Sequence, residues 1–150
     1  MQKFLSFVDL ELKNNRSDVI HDILTFLAGQ MIEMNKTKNE EIKGFLKWLE
    51  REIGYEINEL TGKTTIKDYH KFGFETLLTA LKKNRQKLSV DPAIRKFQET
   101  LERHFNESIS VLKPLQEKIE ATDDLIDQIV YKLYGLTDAE IAIVEEENET

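Results

Sequence analysis

A chain of 150 residues with 40% hydrophobic and 33% charged residues has apolar content for one core, a thin one if its helices are long. Six glycines and two prolines are too few for a turn-rich all-β fold, and the absence of cysteine excludes a disulfide framework, a cysteine-based zinc site and a thiol nucleophile. The net charge of −7 opposes non-specific coating of nucleic acid, no apolar run reaches the roughly 18–20 residues of a membrane span, and the opening MQKFLSFVDLEL is too short and too acidic for a secretion signal, so a cytoplasmic location is expected.

Residues 1–16 mix Phe4, Leu5, Phe7, Val8, Leu10 and Leu12 with charges in no clear period, so an extended segment and a helix both stay open. A helical module is expected over 17–144. Ser17 suits an N-cap, and Asp18 suits the positive end of a helix dipole. Ile20, Ile23, Leu24, Leu27, Met31 and Met34 then mark one helical face. After the polar NKTKN, the same phase resumes in Ile42, Phe45, Leu46, Leu49 and Ile53, so 18–53 is one long helix or two with a break near 35–39. Residues 54–73 are irregular, with Ile57, Leu60, Ile66 and Tyr69 expected to pin them to the helices. A further helix is predicted over 74–87, carrying Phe74, Leu77, Leu78 and Leu81 and ending in the cationic KKNRQK.

Asp91-Pro92 reads as a helix start, with Asp as cap and Pro in the first turn. Ile94, Phe97, Leu101, Phe105, Ile109, Leu112, Leu115 and Ile119 follow as a nearly heptad seam, the pattern of an antiparallel hairpin or short coiled coil. Pro114 should kink that helix or begin a new segment. A separate helix over 123–134 is expected, capped by Thr122 or Asp123 and stopped by Gly135. Thr137 and Glu140 form a capping box for a final short helix. Residues 145–150, ending in EEENET, read as a disordered acidic tail.

Chemistry-bearing patterns are sparse. His21, His70 and His104 stand in no metal-binding spacing, and Asp123, Asp124 and Asp127 read as helix-start residues. No G-x-S-x-G, P-loop or G-x-G-x-x-G occurs, so no catalytic, cofactor-binding or metal residue is assigned. The exception is charge: Thr61 to Lys87 holds Lys63, Lys67, Lys71, Lys82, Lys83, Arg85 and Lys87 against Asp68 and Glu75, a local +5. Clustered cations of this kind can neutralise DNA phosphates and release counterions, although a solvated helix end has the same composition.

The stretch DDLIDQIVYKLYGLTDAEIAIV at 123–144 resembles the closing segment of type IIG-like restriction–modification enzymes and adenine-specific DNA methylases. The pattern is carried by Ile126, Asp127, Ile129, Val130, Tyr131, Leu133, Tyr134, Gly135, Leu136, Thr137, Glu140, Ile141, Ile143 and Val144. FLAGQMIEMNK and IKGFLKWLEREIG, within 18–60, are similar to a helical region shortly upstream in such proteins. The resemblance implies a parent that binds S-adenosylmethionine, acts through an N-P-P-Y motif and, where it cleaves, uses Mg²⁺ at a P-D…E-x-K cluster. Neither motif is present here, so no catalytic residue carries over.

The expectation is therefore an all-α bundle with long antiparallel helices and no catalytic centre. It would act as the C-terminal helical module of a restriction–modification DNA methyltransferase, supporting target recognition through phosphate contacts by Lys82, Lys83, Arg85 and Lys87. S-adenosylmethionine and Mg²⁺ would belong to the parent, and the module's partners would be the rest of that parent and DNA. The alternative is a free-standing helical interaction protein that binds through its 94–119 seam.

Overall fold

A computed structural model of the chain describes residues 1–149. It is built from six α-helices in chain order: α1 (Gln2–Lys13), α2 (Ser17–Ile53), α3 (Lys63–Lys67), α4 (Phe74–Lys83), α5 (Arg95–Leu133) and α6 (Asp138–Glu149). No strand occurs among the described residues. The all-α expectation holds. The chain divides into two compact units, one formed by residues 1–35 and 117–150 and the other by 36–116. The single module read over 17–144 is thus shared between two units.

In the first unit, α1 settles the open question of residues 1–16. Leu5, Val8 and Leu12 recur at helical spacing on one face and join Ile20 of α2 and Ile129 of α5 in a small core. The helix stops because Asn15 takes a left-handed conformation, φ 58°, which asparagine tolerates better than most residues. The N–H groups of Asn15 and Arg16 then bond back to the carbonyls of Leu12 (3.1 Å) and Glu11 (2.8 Å), a Schellman closure that satisfies two orphan acceptors. α5 ends the same way. Gly135 is at φ 63°, and Gly135 and Leu136 donate to the carbonyls of Lys132 (3.1 Å) and Tyr131 (2.9 Å).

The expected capping box then opens α6. Glu140 N–H donates to Thr137 Oγ1 at 3.2 Å, and Thr137 N–H donates to Glu140 Oε1 at 3.1 Å. Hydrogen bonds to the Glu140 carboxyl from the Thr137 backbone N–H and then from the Thr137 side chain hold it below its usual range. α6 runs to Glu149, so the stretch assigned to an acidic tail lies in this helix as far as that residue. Thr150 lies outside the described residues.

In the second unit, Phe45, Leu49 and Ile53 of α2, Leu77, Leu78 and Leu81 of α4, and Leu101, Phe105 and Leu112 of α5 form one core. Ile57, Leu60, Ile66 and Tyr69 are buried, as their assigned pinning role requires. They hold α3 and two single 3-10 turns, at Ile57–Glu59 and Tyr69–Lys71, within an otherwise irregular segment. The senses of α2 and α5 follow from three links. Ser89, just ahead of α5, donates to the Ile53 carbonyl; Trp48 stacks on His104 with centroids 3.8 Å apart; and Phe45 and Ser108 both meet Tyr69. Position falls along α2 as it rises along α5, so within this unit the two helices are antiparallel.

One open alternative is settled, and other expected boundaries differ. α2 is one helix through 35–39, because nothing in NKTKN forbids helix and the apolar phase continues across it. Asp91 does cap a turn, its Oδ1 accepting from Ala93 N–H at 2.9 Å, but α5 opens only at Arg95. α5 then runs without interruption past Pro114 to Leu133. Pro114 and Ser110, whose carbonyl loses its helical donor, are both exposed, so water can take that bond while the apolar seam continues past it. Thr122, Asp123, Asp124 and Asp127 are consequently interior helix residues and not caps. α4 ends at Lys83, four residues short of the 74–87 expectation.

Candidate functional site

The four cations singled out from the sequence share one stretch of the second unit. Lys82 and Lys83 close α4, Arg85 and Lys87 lie in the turns that follow, and all four are exposed. Asn84, between them, is buried. Its Oδ1 accepts from Thr61 N–H (2.9 Å), and its Nδ2 donates to the carbonyls of Thr61 (2.8 Å) and Ala80 (2.9 Å). A single side chain thus ends α4 and ties it to the loop that leads into α3.

The far end of the same stretch is held as firmly. Ser89 donates to the Ile53 carbonyl through both its N–H (2.8 Å) and its Oγ (2.9 Å), completing the C-terminus of α2. The approach requires Gly54, which sits at φ 65°; a Cβ there would collide with Ser89 Oγ and come within 2.8 Å of its Cβ. Lys87 Nζ also reaches the Glu59 carbonyl at 3.3 Å. Arg85 and Lys87 are therefore displayed from a stretch of chain anchored at both ends.

Lys63 and Lys67 of α3, and Lys71 in the turn after it, are also exposed. Lys71 lies 3.9 Å from Asp68. An open groove of about 420 Å³ runs beside Lys83 and is lined by Thr61, Thr65, Thr76 and Thr79, with Glu75 and Gly62 at its margins. Hydroxyl donors next to ammonium groups suit phosphate oxygens; Glu75 is the one adverse charge.

The two units differ in charge. The second holds sixteen basic residues against twelve acidic, +4, and the first holds five against sixteen, −11. In the first unit, Asp127 has its carboxyl raised by burial, then by the neighbouring charges of Asp123, Asp124 and Glu145. That cluster repels anions.

A family model described as a domain of unknown function (DUF8810) matches residues 13–130. The chain belongs to the DUF8810 family. The matched region contains all four cations, Asn84, Gly54 and Ser89, and ends before α6. No curated protein and no solved structure matches the DUF8810 chain.

The remaining polar features of this DUF8810 chain read as architecture. Tyr69 and Ser108 share a buried hydroxyl–hydroxyl bond of 2.7 Å, and burial pushes the Tyr69 phenol up to about 12, with Glu41 adding to the shift and the Ser108 bond opposing it. His104 is stacked on Trp48. His70 is lowered by burial and by Lys38 and Lys71, against the pull of Asp68. His21 is exposed on α2. The described residues include no group of three or more His, Cys, Asp or Glu arranged to hold a metal ion, and no helix is long and apolar enough to cross a membrane. Most of the 94–119 seam is consumed internally: Leu101, Phe105 and Leu112 are core, and Phe97 and Ile109 pack against it, while Ile94 is exposed.

Asn84 and Ser89 escape a sequence reading because their roles depend on partners 23 and 36 residues away. The available signal was slight: an Asn inside a cationic helix end, and a Gly directly after a long helix.

Proposed function

We propose that this chain is a non-catalytic helical module that contacts the phosphate backbone of DNA through Lys82, Lys83, Arg85 and Lys87. The observation that carries the reading is the doubly anchored stretch between Asn84 and Ser89, which presents exposed cations from a fixed backbone. Anchoring matters because each contact then costs side-chain entropy but little backbone entropy. On the resemblance of 123–144, the module belongs to the C-terminal part of a type IIG-like restriction–modification methyltransferase, where it would support the target-recognition region. S-adenosylmethionine and any Mg²⁺ would then be held elsewhere in that parent.

Replacing the four cations with Ala should weaken duplex binding and lower the log–log salt slope by about 0.9 for each phosphate that is no longer neutralised. Unchanged duplex affinity at low salt would remove the phosphate claim. The parent is tested separately, by immunoblot of source cells: a band far above the mass of this chain supports it, and a band at that mass opposes it.

A free-standing interaction protein remains the second reading, with most of its 94–119 seam packed inside the chain. It is favoured by the apolar residues that the first unit leaves exposed, among them Phe26 and Ile32.

A further inference from the structure

The two units use their apolar residues differently. Among the described residues the second unit buries fourteen apolar residues and leaves three large ones exposed, whereas the first buries six and exposes seven. A unit that exposes as much as it buries lacks a covering layer, and exposed apolar clusters rimmed by charge mark interaction surfaces.

The exposed side of α2 shows where that layer would lie. Phe26 is 64% exposed and Ile32 67% exposed. Gly29 lies midway between them on the same side, and a Cβ built on it meets nothing within 4 Å. At 100° per residue the three fall within one third of the helix circumference, so Phe26 and Ile32 flank a recess whose floor is bare backbone. Such a recess admits a knob from a second helix at close range. Asp22 lies one turn before Phe26 and Glu33 lies beside Ile32, and the unit as a whole is at −11.

We propose that this face of α2 is a docking site for an amphipathic helix of another protein, one that inserts an apolar side chain over Gly29 and carries Lys or Arg along its flanks. The basic rim is favoured by charge complementarity: an acidic rim would meet Asp22, Glu33 and the field of the whole unit, with Lys36, one turn past Ile32, as a counter-charge on this side. A second copy of this face would bring like charges together and is disfavoured for the same reason. The inference rests on the reading of the chain as a module within a larger assembly, and it gives the two units separate tasks, DNA for the second and a basic protein helix for the first.

The test uses the full chain and a dye-labelled amphipathic helix built of Leu and Lys, with a Leu/Glu helix of the same pattern as control, read by fluorescence anisotropy. Binding of the Leu/Lys helix should fall at least about tenfold in Phe26→Ser/Ile32→Ser and in Gly29→Leu, the size expected for loss of a central anchor. Neither variant changes net charge, and Leu is a better helix former than Gly, so Gly29→Leu should fold at least as well as the parent chain. The proposal is overturned if the Leu/Glu helix binds equally, or if the variants bind the Leu/Lys helix like wild type, which would leave only general electrostatic attraction. It is overturned too if light scattering shows a dimer that Phe26→Ser/Ile32→Ser dissolves, since a second copy would then be the occupant. Duplex affinity measured on the same proteins keeps the two readings apart: these variants should leave it intact, and its absence in wild type would refute the phosphate reading alone.

Discussion

Replacing Asn84 with Ala removes three hydrogen bonds without touching a charge or an apolar contact of the core. Two of them span 23 residues and join α4 to the loop before α3; the third, to Ala80, is local to the helix end. A net hydrogen bond is worth about 0.5–1.5 kcal/mol, and a buried partner left unpaired costs more. Thr61 is exposed, so water can recover part of the loss there, and we expect about 2 kcal/mol in total. For a chain of this size that is a fall in Tm of roughly 4–8 °C, or a lower urea midpoint at unchanged slope. If the cations bind DNA, duplex affinity should fall as well, because the backbone that carries Arg85 and Lys87 loses one of its two anchors. Asn84→Asp is the sharper variant: it keeps the acceptor for Thr61 N–H but turns two donors into a carboxylate facing the Thr61 and Ala80 carbonyls. It should destabilise at least as much as Ala. An Asn84→Ala protein within about 0.5 kcal/mol of wild type, the range of ordinary surface substitutions, would refute the clamp.

Gly54→Ala should cost about 2–3 kcal/mol, since it adds a left-handed non-glycine residue to a collision with Ser89, and Ser89→Gly should restore the collision part in a double-mutant cycle read by urea unfolding. In an alkaline titration followed by ultraviolet absorbance, Tyr69 should resist ionisation up to about pH 12, and Tyr131, raised by burial and then by Asp127, should also ionise later than an ordinary phenol. Because the folded state holds that Tyr69 proton more tightly than the unfolded chain, its contribution to stability is present below pH 10 and lost as the pH rises toward 12; in Tyr69→Phe this loss should vanish. Asp127→Asn should raise Tm at neutral pH, relieving an i,i+4 repulsion with Asp123 worth about 0.3 kcal/mol. A raised carboxyl favours folding at acid pH and opposes it above its own titration, so the gain should disappear below the carboxylate range; a gain that persists there would argue against electrostatics as its cause.

Periodicity made most of this fold legible. The faces of α2 and α5, the pinning residues Ile57, Leu60, Ile66 and Tyr69, the Gly135 stop and the Thr137–Glu140 box all follow from local chemistry, and local chemistry is present in one sequence. The misread boundaries share a cause. Pro114 and Thr122-Asp123 are each weak breakers when taken alone, and each is overridden by an apolar seam that continues along the same helix, as it does through NKTKN, where the sequence leaves one helix or two open. Where a breaker faces water, its freed backbone group is solvated and the packing decides. Residues 1–16 were undecidable for the opposite reason: Phe7 and Leu10 are apolar yet exposed, which blurs the period that Leu5, Val8 and Leu12 would otherwise show. Of the candidate site, the cations were readable as composition. Their anchoring was not, because Asn84 and Ser89 act on backbone groups far along the chain.

That anchoring bears directly on what the basic stretch can do. Lysines on a freely moving loop neutralise phosphates wherever they meet them, and such binding depends on salt but not on the geometry of the duplex. A stretch tied to Thr61 at one end and to Ile53 at the other fixes the backbone from which Arg85 and Lys87 project. Phosphate contacts made in that way fix register and orientation, although they read no base. On the proposed reading, such a module would contribute position to a recognition event whose sequence information lies in another part of the assembly. If the cations bind DNA, loosening the anchor in Asn84→Ala should therefore reduce the match to a rigid duplex more than the affinity for a flexible single strand. Equal losses on both would show that the four charges act as a cloud and that the clamp serves stability alone.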